Sequence, residues 1–191
     1  KPTYVVDYPV AATESSVAVL RRLADDGRCD IGTHLHPWVT PPHEETVNHV
    51  NSYPGNLPPA LERRKLEVMT ETIETTYGRR PVMSPAGRYG VGPATAGLLE
   101  ELGYEIDLSI VPHTDFGEDG GPDFRGFPAS PYWFGRNGRL LEIPLSRGYA
   151  GLVAAFGPRL WDILDSPLGR KLHLAGFAAR VVGRGQTHGV L

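Results

Sequence analysis

The chain has 191 residues, 40% of them apolar, which suits one domain or most of one and supplies enough apolar surface for a sizeable core. Its formal charge is -3, and basic residues gather only in short clusters such as Arg63-Arg64-Lys65 and Arg79-Arg80. Nucleic acid and anionic membrane surfaces therefore have no electrostatic footprint here, and a neutral partner fits better.

Cys29 is the only cysteine, so no internal disulfide can form, and its apolar surroundings mark it as a small core residue. No stretch approaches the roughly 18 consecutive apolar residues that span a bilayer, which predicts a soluble chain, placed here in the cytoplasm. The 23 glycines and 18 prolines are scattered between periodic segments and read as turn formers. The chain begins at Lys1 without an initiator methionine and runs directly into Tyr4-Val5-Val6.

In chain order, Thr3 to Val6 reads as a strand, and Thr13 as the N-cap of a helix whose Val17, Leu20 and Ala24 share a face, stopped by Gly27. Cys29 to Thr33 reads as the next strand. After a Pro-rich loop, Pro58-Pro59 opens a helix with Leu66, Met69, Ile73 and Tyr77 as its buried stripe and Glu62, Glu67, Glu71 and Glu74 elsewhere. Pro81 to Ser84 is a short strand, Ala94 to Leu102 a helix ended by Gly103, Tyr104 to Ser109 a fourth strand and Leu140 to Leu145 a fifth. This alternation predicts parallel βαβ units. The segments Leu152 to Phe156, Leu160 to Leu164 and Leu172 to Val182 read as helical, broken by Pro158, Pro167 and Gly169. Five strands are too few for a closed parallel barrel, so the chain reads as one partial domain over residues 1–191, truncated at both ends.

In parallel α/β folds the ligand site lies at the carboxyl ends of the strands. There the sequence places Asp7 after the first strand, His34 and His36 after the second, Arg88 and Tyr89 after the third, and His113 and Asp115 after the fourth, with Asp107 inside it. In Ile31-Gly32-Thr33-His34-Leu35-His36-Pro37-Trp38 the two histidines are i and i+2 on an extended chain. Such imidazoles point to the same side and can close on one metal, zinc or a similar ion. Trp38 is either a loop anchor or an aromatic wall for a sugar ring. Asp7 either completes the ligand set or caps the turn into Pro9. Arg88, in the Gly-rich Ser84-Pro85-Ala86-Gly87-Arg88-Tyr89-Gly90 loop, either orients a carboxylate or binds an anionic group, or lies free on the surface. Gly121-Pro122-Asp123-Phe124 and Pro131-Tyr132-Trp133 read as a long ordered loop whose aromatics stack on a saccharide or simply pack. His43, His49, His173 and His188 read as solvated or core residues. There is no GxSxG elbow and no phosphate-binding glycine motif.

Pro2-Thr3-Tyr4-Val5-Val6, Asp30-Ile31-Gly32-Thr33-His34, Ala86-Gly87-Arg88-Tyr89-Gly90 and Gly103-Tyr104-Glu105-Ile106-Asp107 occur in the order of landmarks of the polysaccharide deacetylase (NodB homology) family. The chain resembles that family, and most nearly its WalW-type branch, over residues 2–145. The resemblance implies a distorted (β/α) barrel of the glycoside hydrolase/deacetylase type, parallel strands with outer helices. It also implies a divalent metal held by an aspartate and two histidines, and a water that attacks an N-acetyl carbonyl. His34 matches the first metal histidine; the family's second falls at Trp38, which leaves His36 for that role. The family's aspartate pair belongs upstream of Pro2 and its Leu-x-His motif beyond Leu191; its loop arginine falls near Pro85, leaving Arg88 as the replacement.

The expectation is thus a metal-dependent hydrolase of a carbohydrate amide, with zinc, cobalt or manganese as the ion. His34 and His36 are the metal ligands, Asp7 and Arg88 the catalytic residues, and Trp38, Tyr89 and Trp133 the substrate contacts. The rival is an inactive saccharide-binding relative, and within the enzymes, hydrolysis of another carbon-nitrogen bond such as that of a cyclic amide.

Overall fold

The computed structural model describes residues 1–146, 163 and 166–172. The chain divides into two compact units, Lys1–Leu145 and Ser146–Leu191. In the first unit β1 (Thr3–Val6) leads to a short helix α1 (Tyr8–Ala12) and then α2 (Glu14–Asp25), β2 (Asp30–Thr33), α3 (Pro59–Tyr77), β3 (Met83–Ser84), α4 (Thr95–Glu101), β4 (Ile106–Asp107), β5 (Tyr132–Phe134) and β6 (Leu140–Glu142).

The β1 and β2 strands pair in parallel as one sheet, and β3, β4, β6 and β5 form a second in that order. Within it β3, β4 and β6 are parallel and β5 runs antiparallel to β6. The β3 strand lies beside β2. The fold is therefore α/β with mainly parallel strands, as the alternation predicts, but the described strands form two separate sheets and do not close into a barrel. Two-residue strands such as β3 and β4 carry few hydrogen bonds with which to bridge a gap.

The α3 helix organises the core. Pro59 occupies its first turn, where a missing N–H costs nothing, and Gly78 ends it at φ 72, a left-handed value that a residue with a Cβ resists. Leu66, Met69, Ile73 and Tyr77 are buried as the 3.6-residue period predicts, together with Val6, Ala11, Leu35, Leu98, Leu99, Leu102, Tyr104 and Leu140. A smaller cluster of Ile110, Val111 and Phe124 takes Tyr89 and Phe116 against it.

Several expectations need correction. Thr13 stands at the N-cap of α2 but makes no side-chain cap bond, and no residue of α2 is fully buried. The α1 helix is too short to leave a periodic signature. Pro131-Tyr132-Trp133 is not loop alone, since Tyr132 and Trp133 belong to β5. The expected breaks at Pro167 and Gly169 are inside a helix, Pro167–Lys171, with Pro167 at its start and Ser166 Oγ accepting from Gly169 N–H at 3.0 Å. The predicted helix Leu152 to Phe156 lies outside the described residues, as do Leu160 to Leu164 apart from Ile163 and Leu172 to Val182 apart from Leu172.

Glu62 is the most informative correction, because it is not on the solvated face of α3 but 1% exposed. Thr95 Oγ1 donates to its Oε1 at 2.6 Å. Burial raises its pKa from 4.5 to about 7, against that hydrogen bond. The folded chain thus holds this proton more tightly than the unfolded chain does. The associated stabilisation is complete at low pH and fades as pH rises from 4.5 through about 7. Glu62→Gln should therefore leave the melting temperature little changed at pH 5 and raise it at pH 8, by up to roughly 3 kcal/mol of stability. Thermal melts of both proteins at the two pH values test this, and identical pH dependence would refute it.

Candidate functional site

Because β1 and β2 run in parallel, their carboxyl ends open side by side, and His34 N–H extends the ladder by donating to the Val6 carbonyl at 2.8 Å. Beyond this rung the extended chain buries Leu35, 1% exposed, and turns its two flanking imidazoles the other way. The rings of His34 and His36 lie 4.5 Å apart between centroids, near-perpendicular at 87°. Trp38 follows in series, its ring 4.5 Å from that of His36 and tilted by 49°.

The loop after β3 packs its backbone onto this pair. The Pro85 carbonyl lies 2.9 Å from His34 Nδ1. A carbonyl only accepts, so Nδ1 carries the hydrogen in this contact, which in the neutral ring leaves the lone pair on Nε2. Gly87 N–H donates to the Leu35 carbonyl at 3.0 Å. A Cβ on Gly87 would overlap that carbonyl and lie 2.6 Å from His36 Nδ1, so the approach requires glycine.

His36 Nδ1 is buried without a hydrogen-bond partner. Burial above all lowers the His36 pKa from 6.5 to about 4; the neighbouring His34 and Arg88 push the same way and the Asp7 carboxylate pushes back. At neutral pH His36 is therefore the neutral imidazole, the form that binds a metal.

Two imidazoles bound to one zinc ion at about 2.0–2.1 Å and a right to tetrahedral angle would keep their centroids roughly 4.5–5.5 Å apart. The observed 4.5 Å falls at the near end of that range. In donor type and spacing the pair suits a metal. The set stops there: among the described residues no three His, Cys, Asp or Glu side chains form a group that could hold an ion. Asp7 is the carboxylate whose charge reaches His36, but its Oδ1 caps α1, accepting from Val10 N–H at 3.1 Å.

The other expected residues point elsewhere. Arg88 and Tyr89 have φ values of 55 and 58, in the left-handed region that non-glycine residues seldom enter. The Arg88 guanidinium sits 4.1 Å over the Tyr53 ring, donates to Ser52 Oγ and lies 3.8 Å from Asp119. It ties the segment around Ser52 to the 117–119 turn rather than lying free. Tyr89 stacks on Phe116 at 6.0 Å. Trp133 is 65% exposed on the β5–β6 hairpin, opposite Leu141. His43 and His49 are exposed, and His173 and His188 lie outside the described residues. Cys29 is buried, in keeping with a packing role.

No family model and no curated protein matches the sequence. Among solved structures, one from Mycobacterium smegmatis with an inferred assignment as a polysaccharide deacetylase is 22% identical with a TM-score of 0.51. The match covers 95% of this chain and 65% of that one. The two share a fold. The chain also matches a GH57-type branching enzyme from Pyrococcus horikoshii at 18% identity and TM-score 0.43, over 69% of this chain and 24% of that one. A further match is an α-amylase from Thermotoga maritima at 13% identity and TM-score 0.42, over 68% and 22%.

Sequence reading missed one residue that shapes the site. Lys65 is 0% exposed, yet its ammonium donates to the carbonyls of Pro37 at 3.0 Å, Pro42 at 2.7 Å and Thr40, and lies 3.0 Å from Glu45 Oε2. Thr40 Oγ1 in turn donates to the His36 carbonyl at 2.9 Å. The available signal was spacing, since Leu61, Lys65 and Met69 recur every four residues on the core face of α3. Lys65→Met should cost roughly 3–5 kcal/mol, because it leaves the Glu45 carboxylate buried without its cation. Urea unfolding measures this, and a loss below about 1 kcal/mol would show that the clamp contributes little.

Proposed function

We propose that this chain is part of a polysaccharide deacetylase-like hydrolase that cleaves an amide on a carbohydrate, with His34 and His36 as ligands of a divalent metal. Zinc suits two imidazoles best, with cobalt or manganese as substitutes. The observation that carries the reading is the near-perpendicular imidazole pair at the carboxyl end of β2, its His36 neutral, in a fold shared with a structure whose deacetylase assignment is inferred. The chain spans 65% of that structure's length, and the activity is proposed for the whole protein.

When bound, such a metal supplies a water of lowered pKa and a Lewis acid for the developing oxyanion. The residues of this chain then have distinct tasks. His34, with its Nδ1 hydrogen committed to Pro85, presents Nε2; His36 stays uncharged at neutral pH. Asp7, whose Oδ1 caps α1, acts on the pair through its charge on His36. Trp38, 38% exposed beside His36, offers a flat apolar face on which a sugar ring can stack. Arg88, engaged with Tyr53, Ser52 and Asp119, acts at a distance through its charge on His36. Tyr89 and Trp133 remain candidates for more distant saccharide contacts.

One observation favours a second reading, a saccharide-binding relative without chemistry: among the described residues no third ligand joins the pair. Metal content separates the two. Full-length protein should purify with close to one equivalent of zinc or take it up on titration, and His34→Ala and His36→Ala should each lower the affinity at least tenfold. Undiminished metal in both variants would end the metal assignment. Residues 1–191 alone should release little or no acetate from N-acetylglucosamine oligomers, because the expected base and acid are not among the groups gathered at the pair; robust release would contradict that.

A further inference from the structure

Asp107 ends β4 and Ser109 lies two residues beyond it, beneath the loop that follows β3, whose Ala86 N–H it meets. Both are buried, Asp107 at 2% and Ser109 at 0% exposure. Their hydrogen bonds lead outward in a definite order. The Ser109 hydroxyl donates to Asp107 Oδ1, which also accepts from Leu108 N–H at 2.8 Å. Ser109 Oγ accepts from Ala86 N–H at 2.8 Å. The same peptide unit carries the Pro85 carbonyl, which accepts from His34 Nδ1 at 2.9 Å.

One peptide group thus joins a buried carboxylate to an imidazole. Its N–H points down to Ser109 and Asp107, its C=O up to His34. Each donor in the series lends hydrogen toward the carboxylate, so every bond polarises the next in the same sense. Glu142, 0% exposed, lies beside Asp107 and gives Ile110 N–H an acceptor at 3.1 Å. Burial pushes both carboxyls above their ordinary range, and the Asp107 charge pushes Glu142 further, so the buried pair holds on to a proton that two free carboxylates would lose.

We infer that Asp107 and Ser109 are positioning residues that fix the ring tautomer of His34 through the Pro85–Ala86 peptide group. Without the Ser109 hydroxyl, Ala86 N–H is a buried donor with no acceptor, and the peptide group turns to find one. The Pro85 carbonyl then leaves His34 Nδ1, and the hydrogen is free to move to Nε2. What the exposed lone pair of Nε2 is for rests on the functional reading above; the tautomer itself does not.

Long-range proton–nitrogen NMR of the 15N-labelled, metal-free full-length protein near pH 7.5 reads the tautomer directly. In the wild type His34 should show Nδ1 protonated and Nε2 bare. Ser109→Ala, and the isosteric Asp107→Asn, should raise the Nε2–H fraction at least threefold, whereas Ser109→Thr, which keeps the hydroxyl, should restore the wild-type ratio. A wild-type protein found mainly as the Nε2–H form overturns the inference whether or not any variant folds, as does a folded Ser109→Ala variant with an unchanged ratio. Zinc titration in parallel keeps the two readings apart. Binding weakened roughly 10–100-fold in Ser109→Ala supports both, while a tautomer shift in a protein whose wild type binds no zinc leaves this inference standing and removes the metal.

Discussion

The histidine loop depends on a buried ammonium. Pro37, Pro41 and Pro42 have no N–H, so this stretch has more carbonyls than donors and cannot satisfy itself by pairing with a strand. Lys65 supplies the missing donors from within α3, reaching the carbonyls of Pro37, Thr40 and Pro42. An ammonium with no exposed surface would be prohibitive without partners; with three carbonyls and Glu45 it becomes a fixed point. Thr40 passes that order back to the His36 carbonyl. The path of the chain after the imidazole pair is thus held from α3 by this cation, beside the packing of Leu35 against Leu66, Met69 and Ile73.

A second constraint comes from the opposite side. The loop after β3 meets the pair with main chain rather than side chains: the Pro85 carbonyl on His34, and Gly87 on Leu35 and His36. That close approach leaves no room for a Cβ, and the chain leaves it through two residues in left-handed conformation, Arg88 and Tyr89. Strain of this kind, on the order of 1–3 kcal/mol per residue, persists where its surroundings determine it. Here the cation over Tyr53 and the stack on Phe116 hold the two side chains in place.

Local periodicity explains which parts were legible in the sequence. The β1 strand, the α3 stripe and the paired histidines are all patterns within one element, where spacing alone decides which side chains share a face. Errors arose where a distant partner decides. Glu62 reads as lying off the buried stripe, and Lys65 is not singled out, because the Thr95 hydroxyl and the loop carbonyls that accommodate them are 33 and 23–28 residues away in sequence. The direction of Arg88 depends on Tyr53 and Asp119 in the same way. Barrel closure is the extreme case, since it depends on every strand's neighbour and not on any one strand's pattern; the resemblance supplied it and the described strands do not form it. The mainly parallel α/β arrangement, by contrast, follows from the order of units, and the fold is shared with the solved structure from Mycobacterium smegmatis.

Taken together, the two constraints act on different degrees of freedom of the same pair. Lys65 fixes where the backbone goes after His36, and the Pro85–Ala86 peptide group fixes how the His34 ring is turned and which nitrogen it offers. The His34 ring and the backbone beyond His36 are therefore both held by the fold itself. The cost falls on the fold, as a buried lysine, an orphaned His36 nitrogen and a buried acid pair, each unfavourable unless its partners are in place. These groups lie where the carboxyl ends of β2, β4 and β6 meet the loops they hold, beside the apolar core packed on α3.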